Sequence, residues 1–215
     1  MKSVLLLGDS IRLGYERYVA AMLDGVANVY TPGDVNNGMA QFILRWVHEW
    51  KRRCDFPDDL QLVHWNAGLW DVLRIHGDDT LSPPDFYGDT LKRISERLRL
   101  LFPNAKQVFA LSTWVQEDLY KGEYKRFNRD IELFNKIAVE TLTPLGVEFD
   151  DLYTVAKTAP AECWSDLTHF NTVDGIRRIG GAVVDCICGQ LEIDRASLAD
   201  KEAELFEIPE KLLGY

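Results

Sequence analysis

The sequence predicts an α/β fold: a five-stranded parallel sheet with helices on both faces. Three observations lead there. Over 215 residues, short apolar runs of strand character alternate five times with stretches of helical periodicity, the pattern of a parallel sheet covered by helices. The first run, Val4-Leu5-Leu6-Leu7, is continuously apolar rather than alternating, as a strand buried on both faces requires. It then stops in Gly8-Asp9-Ser10, which places polar groups at the carboxyl end of a strand, where open α/β sheets bind ligands.

The elements follow in order. After Ser10, apolar residues at Leu13, Tyr18, Val19, Met22 and Leu23 predict a helix over residues 12–24, ended by Gly25. Asn28-Val29-Tyr30-Thr31 reads as the second strand and Pro32-Gly33-Asp34 breaks it. Asn36-Asn37-Gly38 leads into an amphipathic helix over 39–53, with Phe42, Ile43, Trp46, Val47 and Trp50 on one side. The third strand covers 60–66, ended by Ala67-Gly68; residues 70–84 read as irregular. A loop that long in a compact domain is usually functional. A helix over 85–101, a strand over 107–111 and a polar loop over 112–121 around Trp114 come next. A long helix over 124–142, a short strand over 146–150 and a loop through Pro160 then lead to the last main helix, over 172–191. No repeat or linker interrupts the chain, so residues 1–215 read as one domain. Residues 194–215 form a peripheral charged tail with a helix over 198–206, its acidic residues read as a solvated face.

Composition narrows the function. A net charge of −10 argues against nucleic acid or an anionic membrane surface as partner. No apolar run approaches the roughly 20 residues of a membrane span. The first strand begins almost at Met1 with no secretory pattern before it, so the expected location is cytoplasmic. Cys54, Cys163, Cys186 and Cys188 then read as free thiols; Cys186 and Cys188 stand too close together for ordinary zinc spacing.

Four polar pieces fall at strand ends or in loops: Gly8-Asp9-Ser10, Gly38, Asn66, and Asp166-Leu167-Thr168-His169 before the last helix. If these loops share one sheet edge, the pieces converge. A serine hydroxyl is a weak nucleophile until a base takes its proton. His169 is the candidate base, since imidazole changes charge near neutral pH. Asp166, three residues away, can fix the imidazole's tautomer. The backbone N–H groups of Ser10 and Gly38 and the Asn66 amide are candidate oxyanion donors. The competing reading of Ser10 is a helix N-cap. Asp9 reads as a turn-holding residue, and His64 as a packing residue of the third strand. Trp70 and Trp114 either line a substrate pocket, where aromatic faces stack on sugars, or cover the core. Asp71 is a candidate support for the Asn66 loop.

Gly8-Asp9-Ser10, Gly38, Asn66 and Asp166-x-x-His169 together resemble the ordered blocks of the SGNH (GDSL-type) hydrolase superfamily, and the resemblance spans nearly the whole chain. It implies a flavodoxin-like three-layer sheet of order 2-1-3-4-5. It implies Ser10 as nucleophile, His169 as base, Asp166 as its partner, an oxyanion hole from Ser10, Gly38 and Asn66, and no metal or organic cofactor. Two departures stand out. The first block continues into Ile11 where the family has Leu. The third block, usually Gly-x-Asn-Asp, reads Gly68-Leu69-Trp70-Asp71 here. Keeping Gly68 in register puts Trp70 in the asparagine's place. A short amide fits an oxyanion hole better than an indole, so the role is expected of Asn66. The expected activity is ester hydrolysis through an acyl-serine, removing small acyl groups such as acetyl from a carbohydrate or similar small ester. The alternatives are a longer-chain esterase or lysophospholipase-type enzyme, and a non-catalytic flavodoxin-like binding module. For the module, the sequence offers neither Gly-x-Gly-x-x-Gly nor a phosphate-binding Lys motif.

Overall fold

A computed structural model describes residues 1–207. Its main sheet consists of β1 (Lys2–Leu7), β2 (Ala27–Tyr30), β3 (Leu62–Trp65), β4 (Lys106–Ala110) and β5 (Glu148–Asp150). All neighbours are parallel, in the order 2-1-3-4-5. β1 lies between β2 and β3, with Val4 opposite both Val29 and Leu62. This is why its apolar run is unbroken: Val4 to Leu7 are each fully buried, and burial is worth roughly 1.5–3 kcal/mol per such side chain.

The helices are α1 (Ser10–Leu23), α2 (Ala40–Arg53), α3 (Pro84–Leu101), α4 (Asn128–Leu142), α5 (Leu152–Lys157), α6 (Val173–Leu191) and α7 (Ala199–Glu207). α1 packs on α6, and α2 and α4 flank α3, so the sheet has a helical layer on each face. The α1–α6 contact is close because Gly180 has no side chain. A Cβ there would stand 2.5 Å from the Tyr18 ring. No helix among the described residues is long and apolar enough to cross a membrane.

Three expectations shift. The helix expected from residue 124 begins at Asn128, because Tyr124-Lys125 pairs antiparallel with Arg74-Ile75 as a small ribbon. That pairing also gives structure to the stretch read as irregular over 70–84. Local propensity could not anticipate it, since the two strands are far apart in sequence. Helix α1 starts two residues early, because Asp9 supplies its cap. In the tail, Glu202 is not a solvated charge: it accepts from the Tyr18 hydroxyl at 2.6 Å and pairs with Arg195 at 2.8 Å, fastening α7 to α1. Residues 208–215 of the expected tail lie outside the described residues.

His64 points away from the strand ends into the core. It is fully buried, with Nε2 2.9 Å from Asp150 Oδ2 and Nδ1 3.5 Å from the Tyr15 hydroxyl. It ties β3 to β5 and α1 beneath the layer where the loops gather. The four cysteines are free thiols.

Candidate active site

In a parallel sheet every strand ends at the same edge, so the loops after β1, β2 and β3 open together. Gly8 turns the chain out of β1 and Asp9 begins the helix. The Asp9 carboxylate accepts from the Ile11 N–H at 3.0 Å, which is the cap that the competing reading gave to Ser10. Ser10 is therefore the first residue of the helix. Its side chain is not used for capping, and its N–H is one of those with no partner inside the helix.

The hydroxyl of Ser10 meets His169: Oγ and Nε2 are 2.8 Å apart. His169 Nδ1 lies 2.7 Å from Asp166 Oδ2. The other oxygen of Asp166 accepts from the N–H groups of Thr168 at 2.7 Å and His169 at 2.8 Å. The three-residue spacing thus closes a local turn in which one carboxylate holds both the backbone and the ring of His169. Partial burial pushes the Asp166 carboxyl up, but these hydrogen bonds outweigh it and hold it below its ordinary value. An ionised carboxylate keeps the proton on Nδ1 and leaves Nε2 free to accept from the serine.

The 164–171 loop is itself fastened. Gln116 N–H donates to Leu167 O at 3.0 Å, and the Tyr120 hydroxyl meets Thr168 Oγ1 at 2.6 Å. Trp114 packs edge-on against Trp164, with centroids 5.8 Å apart, and Trp164 packs on Phe170. Half-buried Trp114 is thus part of the aromatic wall behind the His169 loop. Behind it, α6 presses Gly175 against the loop backbone, where a Cβ would stand 2.1 Å from Cys163 O. The sequence placed Asp166 and His169 in one turn; the packing aims that turn at Ser10.

Asn66 sits beside Gly8 and Asp9. Its N–H donates to Leu7 O at 3.1 Å. Its side chain lies so close to Gly8 that a Cβ there would be 1.8 Å from Oδ1. The glycine of the first block is thus required by the asparagine at the end of β3. The Asp9 carboxyl is fully buried and pushed up chiefly by that burial. Gly38 is brought to the same edge by Asn37, whose N–H donates to Gly8 O at 3.2 Å. Gly38 has φ +53°, and its own N–H is occupied by Asn36 Oδ1 at 3.0 Å. Of the three expected donors, the structure therefore gathers all three but leaves that of Gly38 already engaged. Buried Arg12 anchors this loop by donating to the carbonyls of Gly33 and Val35 while paired with Glu16.

Trp70 does not join this group. It is half-buried farther along the loop, with the Arg126 guanidinium over its ring, 5.8 Å from the centroid. Arg126 carried no motif in the sequence. Asp71 proves to be the tie between loops: Oδ2 accepts from Ala40 N–H at 3.0 Å, and Oδ1 from the Ser82 hydroxyl at 2.6 Å. It pins the start of α2, next to Gly38, to the segment after β3. Burial, the largest effect, pushes its carboxyl up to about 6. A folded-state value above the unfolded one costs stability as the group ionises, so this contribution is present at acid pH and is lost as pH rises through about 6. The expected loss is about 3 kcal/mol between the ordinary value of 3.8 and that point. Asp71→Asn keeps an acceptor for Ala40 and cannot ionise. Its urea-unfolding stability should therefore improve relative to the parent by roughly this amount on going from pH 4 to pH 7. A difference that stays constant with pH would show that Asp71 does not titrate in this window.

No family model and no curated protein matches this chain. Solved structures do. The chain is similar to a lipase/acylhydrolase from Enterococcus faecalis, at 18% identity and a TM-score of 0.67, covering 88% of this chain and 97% of that one. It is similar to a GDSL-like lipase from Bacteroides thetaiotaomicron VPI-5482, at 16% identity and a TM-score of 0.66, covering 86% and 87%. An acetyl xylan esterase, AlAXEase, matches at 14% identity and a TM-score of 0.66, covering 86% and 99%. The fold of this chain is the fold of these solved structures.

Proposed function

We propose that this protein is a serine ester hydrolase of the SGNH (GDSL) type that removes small acyl groups, such as acetyl, from a carbohydrate or similar small ester. The observation that carries this reading is the continuous hydrogen-bond chain Ser10–His169–Asp166, at 2.8 and 2.7 Å, on the carboxyl edge of the sheet. In this scheme Ser10 Oγ attacks the ester carbonyl carbon as His169 Nε2 takes its proton, while Asp166 steadies the imidazolium. The oxyanion forms at the amino end of α1, facing the Ser10 N–H and the Asn66 amide. The tetrahedral intermediate collapses with loss of the alcohol, which takes its proton from His169. Water, deprotonated by His169, then attacks the acyl-serine, releasing the acid and restoring Ser10. Every proton and electron pair is handled by the chain's own groups.

A small acyl group on a sugar is supported by the acetyl xylan esterase among the structures that share the fold. Free thiols fit a reducing, cytoplasmic setting. The test is a series of p-nitrophenyl esters from acetate to octanoate. Acetate should give the highest kcat/KM. A steady rise toward octanoate would assign a longer-chain esterase, and no turnover across the series would leave a binding module.

Within this mechanism Asn66 and Trp70 have distinct expected effects. Asn66→Ala should lower kcat by roughly 10²–10³-fold with little change in KM, the signature of a donor used only in the transition state. Trp70→Phe keeps the ring and should stay within a few fold. Steady-state kinetics on the acetate ester decide it. A crippled Trp70→Phe beside a near-normal Asn66→Ala would move the donor to Trp70.

A further inference from the structure

Arg126 is the basic side chain at this edge that the mechanism leaves unused. It stands where the ribbon runs into α4 and is half-buried. Its Nε donates to Leu69 O at 2.6 Å, and the guanidinium lies over the Trp70 ring. Leu69 and Trp70 belong to the segment that begins at Asn66, so the strand-end loop positions this arginine. Its positive charge favours the ionised form of the buried Asp9 carboxyl directly before Ser10. Neither terminal nitrogen makes a hydrogen bond or ion pair with any described residue. Nearby arginines differ: Arg74 is paired with Asp130, and Arg12 with Glu16. In a chain with 34 acidic and 24 basic residues, an arginine held in place without an acidic partner has its charge available for something else.

We propose that Arg126 is a specificity determinant that binds a carboxylate carried by the ester substrate. With Nε engaged on Leu69 O and the guanidinium carbon 5.8 Å from the Trp70 ring centre, the two terminal nitrogens remain as an end-on fork, the geometry that receives a carboxylate through two parallel hydrogen bonds. Immobilising the guanidinium beforehand lowers the entropic cost of that contact. The substrate class is then an acid-bearing ester, such as an acylated sugar acid or hydroxy acid. This inference rests on the ester-hydrolase reading. The competing role for Arg126 is internal, balancing the buried Asp9.

The test compares 4-acetoxybenzoate with its neutral methyl ester, methyl 4-acetoxybenzoate, in the parent, Arg126→Gln and Arg126→Lys. Intrinsic reactivity cancels when the ratio of the two kcat/KM values is compared between proteins. That ratio should fall about tenfold or more in Arg126→Gln, the size expected for one charge-assisted hydrogen bond. The fall should lie mainly in KM, and Arg126→Lys should restore part of it. A ratio unchanged while both esters slow together would assign Arg126 to Asp9 and overturn the proposal. Calorimetric binding to Ser10→Ala separates this from the hydrolysis reading. Tighter binding of the acetoxybenzoate anion that is lost in Ser10→Ala/Arg126→Gln would sustain the site even if the parent cleaved neither ester. Equal binding of the two esters, or none, would overturn the site.

Discussion

Ser10→Ala should lose roughly 10³-fold or more of its turnover on p-nitrophenyl acetate, the order seen when a triad serine is removed, while its unfolding midpoint stays close to that of the parent. The two halves of this expectation have separate causes. The hydroxyl's hydrogen bond is to His169 Nε2, and on the proposed acyl-serine route its removal deletes the attacking atom. The start of α1 is capped by Asp9, so the same substitution leaves the helix intact. Had Ser10 been the cap, alanine would cost about 1 kcal/mol of stability and little activity. A serine-directed organophosphonate should add to the parent at Ser10 and not to the variant, which peptide mass spectrometry reads directly. Labelling at another residue, or a fully active variant, would exclude the acyl-serine route.

Asp166→Asn should also be severely damaging, at roughly 10⁴-fold, the loss recorded when the same change is made in a triad protease. An asparagine carbonyl can still accept from the N–H groups of Thr168 and His169, so the turn persists. Its amide, however, would face His169 Nδ1 as a donor. The ring would then carry its proton on Nε2, toward Ser10, and could not take the serine's proton. The groups should also behave as one unit: Ser10→Ala/His169→Ala should be scarcely slower than either single variant, because a broken relay has little left to lose. Losses that multiply in the double variant would show that His169 serves something other than Ser10.

Several of these features were readable without coordinates. The unbroken apolar run of β1, the five alternations and the stop at Gly8 follow from local sequence, because burial on two faces demands apolar residues at every position of a strand. The Asp166–His169 pair was legible for the same reason: its turn closes within four residues. Asp9 as cap against Ser10 as cap was not, since both residues accept such bonds and only the direction of the chain leaving β1 chooses between them. The ribbon of Arg74-Ile75 and Tyr124-Lys125 pairs strands too short to carry a pattern. Asp71 looked like part of a motif and turned out to be a buried tie between Ala40 and Ser82.

The sequence by itself determined the fold class, the strand order through its resemblance, and the set of groups available for chemistry, because hydrophobic periodicity and short-range turns are local properties. Tertiary structure decided which groups meet. Ser10 and His169 are 159 positions apart, and only the packing of α6 and of the 164–171 loop brings Nε2 to Oγ. It set Asn66 against Gly8 and left Trp70 outside. It held Gly38 N–H on Asn36. It also placed Arg126, a residue with no motif, over Trp70 without an acidic partner among the described residues. Contacts between distant segments depend on how whole layers pack, and no window of neighbouring residues contains that information.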